Sequence, residues 1–146
     1  GGVLAYPTES VWGLGCDPTN IEALARLFAI KQRPIDKGLI LVSGQIEHFD
    51  FLLKCLSITH QHRFAQAQDR PTTWLVPDPL NKVSPLIKGR YSSVAIRVSS
   101  HPQLQRLTKR LGYPIVSTSA NPAGREPAYT RLKLAHWLRL VVIFWL

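Results

Sequence analysis

Cysteine is scarce in this chain, and the little there is makes no pattern. Cys16 and Cys55 are the only two in 146 residues. They form neither a disulfide framework nor a metal spacing, and with no secretory leader visible they read as reduced thiols of a cytoplasmic protein. Long apolar runs are missing too. None approaches the roughly 20 residues a bilayer span requires, which excludes a helical membrane protein. No G-x-x-x-x-G-K-[ST] segment occurs, so any bound ATP is held without a P-loop, and Gly13-Leu14-Gly15 lacks the third glycine of a dinucleotide fingerprint. The histidines His48, His60, His62, His101 and His136 fall in no metal-ligand spacing, and no Ser/His/Asp arrangement follows from their positions. Acidic residues almost vanish from the second half. Residues 1–80 carry seven Lys/Arg against eight Asp/Glu, whereas residues 81–146 carry eleven against one, Glu126. A basic half of this kind calls for a polyanion: nucleotide phosphates, RNA or DNA.

What is present is one domain's worth of chain over 1–146, with 45% apolar residues and room for a core. Val3-Leu4-Ala5-Tyr6 reads as a strand stopped by Pro7. Asp17-Pro18-Thr19-Asn20-Ile21-Glu22 reads as a helix start, with Thr19 and Glu22 at capping-box spacing. Ile21, Leu24, Ala25 and Phe28 then mark a core face, and the helix is expected to end near Gln32 ahead of Pro34. Strands are expected at 38–42, 72–76, 94–98 and 114–118. Short helices are expected at 45–54 and 58–68, and an amphipathic helix at 101–111 with Leu104, Leu107 and Leu111 inside. The mixture predicts an α/β or α+β domain. Leu140 to Leu146 is seven apolar residues in a row, a strand in need of a partner.

Three constellations carry chemistry. The first is Thr8-Glu9-Ser10 at the end of the opening strand, followed by Gly13 and Gly15, where backbone can bend or admit a ligand; a plain strand–turn–helix corner would look the same. The second is Lys31-Gln32-Arg33-Pro34. Pro34 favours extended geometry at Arg33, which lets Lys31 and Arg33 converge on a phosphate or carboxylate; two solvated charges at a helix C-terminus are the alternative. The third is Ser117-Thr118-Ser119-Ala120-Asn121, a cluster of small hydroxyl and amide groups at a strand end, equally readable as a polar turn.

In this order, these segments resemble the YrdC/TsaC family of threonylcarbamoyl-AMP synthases in its short single-domain bacterial form. Val94-Ala95-Ile96-Arg97-Val98 with His101-Pro102, and Lys37-Gly38-Leu39-Ile40-Leu41, add to the likeness, which covers about residues 1–128. The resemblance implies an α/β fold: a twisted mixed sheet flanked by helices, with a concave basic face. It implies that L-threonine and bicarbonate combine as an N-carboxylated amino acid, whose carboxylate attacks the α-phosphate of ATP. Threonylcarbamoyl-adenylate and pyrophosphate result, and partner proteins pass the group to tRNA. By the same resemblance Lys31 and Arg33 are the catalytic cations on the phosphates. Thr8, Thr73, Arg97, Thr118, Ser119 and Asn121 bind threonine and ATP, no protein-held metal is implied, and Mg²⁺ arrives with ATP.

The likeness has departures. The Trp-Pro-Gly-Pro-x-Thr-like segment expected before the middle strand is replaced by Gln68-Asp69-Arg70-Pro71-Thr72-Thr73, which keeps the threonine and loses the glycine. Relative to the family the chain reads as shortened at both ends. The competing readings are an RNA-binding module on the same scaffold, catalytically impaired by the shortening, and a carbamoyl-adenylate-type relative acting on another acceptor.

Overall fold

A computed structural model of the chain describes residues 1–66, 70–130, 133–135 and 144–145. Seven strands form one sheet: β1 (Leu4–Tyr6), β2 (Gly13–Cys16), β3 (Ile40–Ser43), β4 (Trp74–Pro77), β5 (Ser93–Val98), β6 (Ile115–Ser119) and β7 (Phe144–Trp145). Their spatial order is β4-β5-β3-β6-β2-β1-β7. The β3–β5 and β1–β7 pairs are parallel and the other four are antiparallel, so the sheet is mixed. The helices are α1 (Ile21–Lys31), α2 (Asp50–Leu53), α3 (Ile58–Ala65), α4 (Pro85–Lys88) and α5 (Pro102–Leu111).

The termini of α1 follow from its sequence. Asn20, not Thr19, is the N-cap: its Oδ1 accepts from the Ala23 N–H at 2.9 Å. Thr19 instead donates both its N–H and its hydroxyl to Asp17 Oδ1. At the other end Gln32 takes a left-handed φ of 48°, and the Arg33 N–H reaches back to the Phe28 carbonyl at 3.2 Å. That closes the helix before Pro34. The buried face is Ala23, Leu24, Leu27, Phe28 and Lys31; Ile21 and Ala25 point outward, one position off the expected stripe. Full burial of Leu24 and Leu27 is worth about 2 kcal/mol each.

The strand registers sort side chains to two faces. Leu14, Leu41, Val76, Val94, Ile96 and Val116 face the main core together with α1, Phe49, Leu52 and Ile87. The opposite face holds a smaller core of Tyr6, Val42, Leu104 and Ile115, with Leu4 and Leu107 packed on it beneath α5. In α5, Leu104 and Thr108 are the buried residues, while Leu111 is outside, contrary to the expected inner stripe. Because α5 covers only part of this second face, Ile40, Ala95 and Ser117 are left on its uncovered part.

One element differs in kind from the sequence expectation. Gly13-Leu14-Gly15-Cys16 is not a loop leading to a helix but the buried strand β2, paired with both β1 and β6. Two alternating glycines hid its period. Helix α3 ends at Ala65, and residues 68–69 of the altered segment lie outside the described residues. Of the terminal apolar run, Phe144 and Trp145 pair with Leu4 and Ala5 of β1; the remainder lies outside the described residues.

Candidate active site

The uncovered part of the second sheet face is a groove of about 500 Å³. Its floor is Ile40, Ala95 and Ser117 from three adjacent strands. Arg33, Lys37 and Lys88 line its walls with Thr118 and Ser119, and among the described residues no carboxylate does. Leu39, Leu75, Ile87 and Tyr91 add apolar surface. Cations and hydroxyls set among apolar walls suit an anion that also carries an apolar or aromatic part.

Lys31 and Arg33 divide their work. Arg33 faces the groove, its guanidinium held by two backbone carbonyls: Nε donates to Gly38 O at 3.0 Å and an Nη to Lys37 O at 3.2 Å. Lys31 turns inward and is 2% exposed. Its Nζ donates to the Ser119 carbonyl at 2.5 Å and to Asn121 Oδ1 at 3.0 Å. The Ala123 N–H returns to the Lys31 carbonyl at 2.8 Å. The ammonium thus clamps the end of β6 and the loop after it. Burial, and then the nearby Arg33 charge, pull the Lys31 pKa down to about 8. Asn121 is held from both sides, since its Nδ2 donates to Arg125 O at 2.5 Å.

Thr8 sits in the β1–β2 loop. Its hydroxyl donates to Val11 O at 2.6 Å and accepts from the Ser10 N–H at 3.3 Å, so it is turned into its own loop and does not line the groove. Arg97 and Thr73 pair with each other: Nε and an Nη both donate to Thr73 Oγ1, at 2.9 and 2.7 Å. They lie on the β4–β5 side of the same sheet face. Five of the eight anticipated residues are therefore directly tied in two sets: Lys31, Ser119 and Asn121, and Arg97 with Thr73. Arg33 and Thr118 join Ser119 on the groove wall, and Thr8 stands apart.

Three features of the site escaped the sequence reading. Tyr6, from β1, lays its ring across both β2 glycines; a Cβ at Gly13 or Gly15 would come within 3.0 or 2.9 Å of it. Its hydroxyl donates to Ser117 Oγ at 2.5 Å beneath the groove floor. Burial pushes the Tyr6 phenol well up, so it is a neutral donor throughout the ordinary pH range. The second is the attachment of Glu9. Its carboxylate accepts from Ser99 Oγ at 2.5 Å and the His101 N–H at 3.1 Å, at the start of α5. Burial would raise its pKa, but these bonds, with others from its own backbone and Ser100, hold the carboxyl below the usual range. Glu9 thereby staples the Thr8 loop to α5. Finally, Lys88 and Tyr91 come to the groove from a loop-rich stretch whose only sequence signal is the Lys88-Gly89-Arg90 cluster of charge around a glycine.

An open mixed sheet whose groove is lined by Arg33, Lys37 and Lys88 defines an α/β domain with a basic groove. The comparisons with known proteins place it further. A family model described as telomere recombination, Sua5/YciO/YrdC, matches residues 1–146. The threonylcarbamoyl-AMP synthase of Hahella chejuensis is 56% identical over 130 residues, 89% of this chain and 70% of that protein. That of Stutzerimonas stutzeri is 50% identical over 137 residues, 94% of this chain and 73% of that protein. The crystal structure of P. abyssi Sua5 complexed with L-threonine superposes with a TM-score of 0.82 at 28% identity over 92% of this chain; the chain spans 39% of that protein's length. The chain belongs to the Sua5/YciO/YrdC family.

Proposed function

We propose that this protein makes L-threonylcarbamoyl-AMP from L-threonine, bicarbonate and ATP, for the threonylcarbamoyladenosine modification of tRNA. The reading is supported by the relatives that bear this name at 50% identity and above. The observation that carries it for this chain is the groove itself, where Arg33, Lys37 and Lys88 line the walls and, among the described residues, no carboxylate does. All three substrates bring a carboxylate, carbonate or phosphate, and such a groove offsets their charge together.

The amine of threonine adds to bicarbonate with loss of water, giving an N-carboxylate. That carboxylate attacks the α-phosphorus of ATP; the new C–O–P bond forms as the bond to the β-phosphate oxygen breaks, and pyrophosphate leaves. Arg33, locked by the Lys37 and Gly38 carbonyls, offers its remaining N–H groups to the phosphates. Ser119 and Thr118 line the same groove. Lys31, through Ser119 O and Asn121, sets the position of that wall, and its ammonium has a third N–H beyond those two bonds. The protein's part is placement and fixed charge, which cost no reorganisation during the reaction. Among the described residues no three His, Cys, Asp or Glu side chains converge. Magnesium would enter with the substrate, as MgATP, and offset triphosphate charge there.

On this reading the protein would work beside tRNA and the proteins that transfer the threonylcarbamoyl group, in the cytoplasm. No helix of the described residues is long and apolar enough to cross a membrane. The eleven basic residues after position 80 fit RNA as a further partner. Incubating the protein with MgATP, labelled bicarbonate and L-threonine tests the activity. Pyrophosphate release that depends on threonine, with label in the adenylate, is expected. Release indifferent to threonine, or equally supported by other amino acids, overturns the assignment.

A further inference from the structure

Lys88 lines the groove beside Arg33 and Lys37, where a lysine would ordinarily be taken for another anion contact. Its hydrogen bonds give it a different occupation. Nζ donates to Asp78 Oδ2 at 3.0 Å and to Asn81 Oδ1 at 2.8 Å. The Lys88 and Asp78 side chains are 7% and 1% exposed. Asp78 also accepts from the Lys82 and Val83 N–H groups, at 2.9 and 3.0 Å. Asn81 adopts a left-handed φ of 50° within this loop, with its amide oxygen on Lys88. An asparagine tolerates that conformation better than most residues. Every heavy atom of the two charged groups that can bond has a partner, which is the condition under which a buried ion pair holds its geometry.

The clasp acts on α4. The Ile87 carbonyl accepts from the Leu39 N–H at 2.8 Å, and the Arg90 N–H donates to Asp36 O at 3.0 Å. Gly38 and Gly89, with φ of 61° and 64°, meet with almost no clearance. A Cβ on Gly89 would lie 2.3 Å from Asp36 O, and one on Gly38 2.8 Å from the Ile87 and Lys88 carbonyl oxygens. The 36–39 segment therefore cannot shift without α4. This same segment presents the Lys37 and Gly38 carbonyls that hold the Arg33 guanidinium. We infer that Asp78, Lys88 and Asn81 form a positioning clasp that fixes Arg33 in the groove through α4 and Gly38, and that Lys88 does not itself bind the substrate phosphates. The inference rests on the groove being the ATP site.

ATP affinity measured by calorimetry separates the possibilities, using folded samples of Arg33→Ala, Lys88→Met, Asp78→Asn and each clasp variant combined with Arg33→Ala. Arg33→Ala is expected to weaken ATP about tenfold or more, by loss of charge-assisted bonds. Lys88→Met and Asp78→Asn are each expected to weaken it about fivefold, as misplacement of Arg33 would. In the Arg33→Ala background neither should weaken it further, because the clasp acts through Arg33. The double variant Asp78→Asn/Lys88→Met strands no charge and is expected to fold and to show the same fivefold loss, which keeps the test open if a single variant fails to fold. Tighter ATP binding by Asp78→Asn, which frees the Lys88 ammonium, would overturn the inference, as would an undiminished loss from Lys88→Met in the Arg33→Ala background. If Arg33→Ala leaves ATP affinity unchanged, the groove is not the ATP site, and the inference falls with that reading rather than by the failure of the clasp.

Discussion

Lys31 has three N–H groups as an ammonium and two as an amine, and two are already committed to Ser119 O and Asn121 Oδ1. Protonation therefore decides whether the residue can reach a ligand at all. With its pKa drawn down to about 8 by burial and by Arg33, the residue loses both its spare donor and its charge within reach of ordinary buffers. ATP affinity should fall as pH rises beyond about 8. The bound triphosphate moves that edge upward, because an anion beside the ammonium favours its charged form. Calorimetric titrations between pH 6.5 and 9.5 would show the edge. Lys31→Met should remove it and weaken binding about tenfold, since a hydrogen bond from a charged donor is worth about 1.5–3 kcal/mol. A wild-type affinity flat across this range would mean that Lys31 only clamps Ser119 and Asn121.

At the scale of elements, β2 is where the sequence and the fold part company. Its glycines serve the neighbouring strand, not a ligand. Gly15 stands so close to β6 that a Cβ would lie 2.4 Å from the Val116 carbonyl oxygen and 2.9 Å from the Tyr6 ring. Backbone on one side and a fully buried ring on the other leave nowhere to yield. Gly15→Ala should destabilise the protein by about 2–3 kcal/mol, the range of overpacked core sites, read as a lowered urea midpoint. It should also disturb the groove, because Tyr6 carries the hydrogen bond to Ser117. Gly112→Ala is the control: nothing lies within 4 Å of a Cβ there, leaving only the cost of its φ of 80°. The reason β2 was illegible is general. Period-2 alternation is read from side chains, and a strand whose alternate side chains are hydrogen atoms shows none. By contrast β3, β5, β6 and α1 announced themselves through runs of Ile, Leu and Val and through Pro34. The site divides in the same way. Lys31, Arg33 and Ser119 were legible because local sequence places them at element ends. Glu9's attachment to Ser99 and His101 was not, because ninety residues separate the partners. The Asp78–Lys88 clasp was hidden for a related reason: a ten-residue loop gives no sign of which charges it buries.

For the whole molecule, the perturbed groups combine into a stability profile whose alkaline rise is cancelled when nucleotide binds. On the acid side, hydrogen bonds hold the Asp78, Asp17 and Glu9 carboxyls below their ordinary values against the upward push of burial. Their contribution is present above the unfolded values and lost as pH falls through the folded ones, so acid destabilises the protein. On the alkaline side Lys31 acts in the opposite sense. Its folded pKa of about 8 lies below the model-peptide value of 10.5, so burying the ammonium is penalised below pH 8, and the penalty is relieved as pH rises from there. Cys16, whose thiol burial pushes up from 9.0 to about 12, works against this once an unfolded chain begins to lose that proton. Unfolding in urea should therefore show stability rising by about 1 kcal/mol between pH 8 and 9, then levelling as the two slopes cancel. Lys31→Met should abolish the rise while leaving the acid limb in place. Saturating MgATP should flatten it, because ligand stabilises by RT ln(1 + [L]/Kd), and the growth of Kd over the same interval, as the ammonium is lost, offsets the gain. One buried proton would then be seen from two directions, costing the empty protein stability and supplying the occupied one with affinity. Parallel rises with and without MgATP would separate the two roles and confine Lys31 to the architecture of the β6 loop.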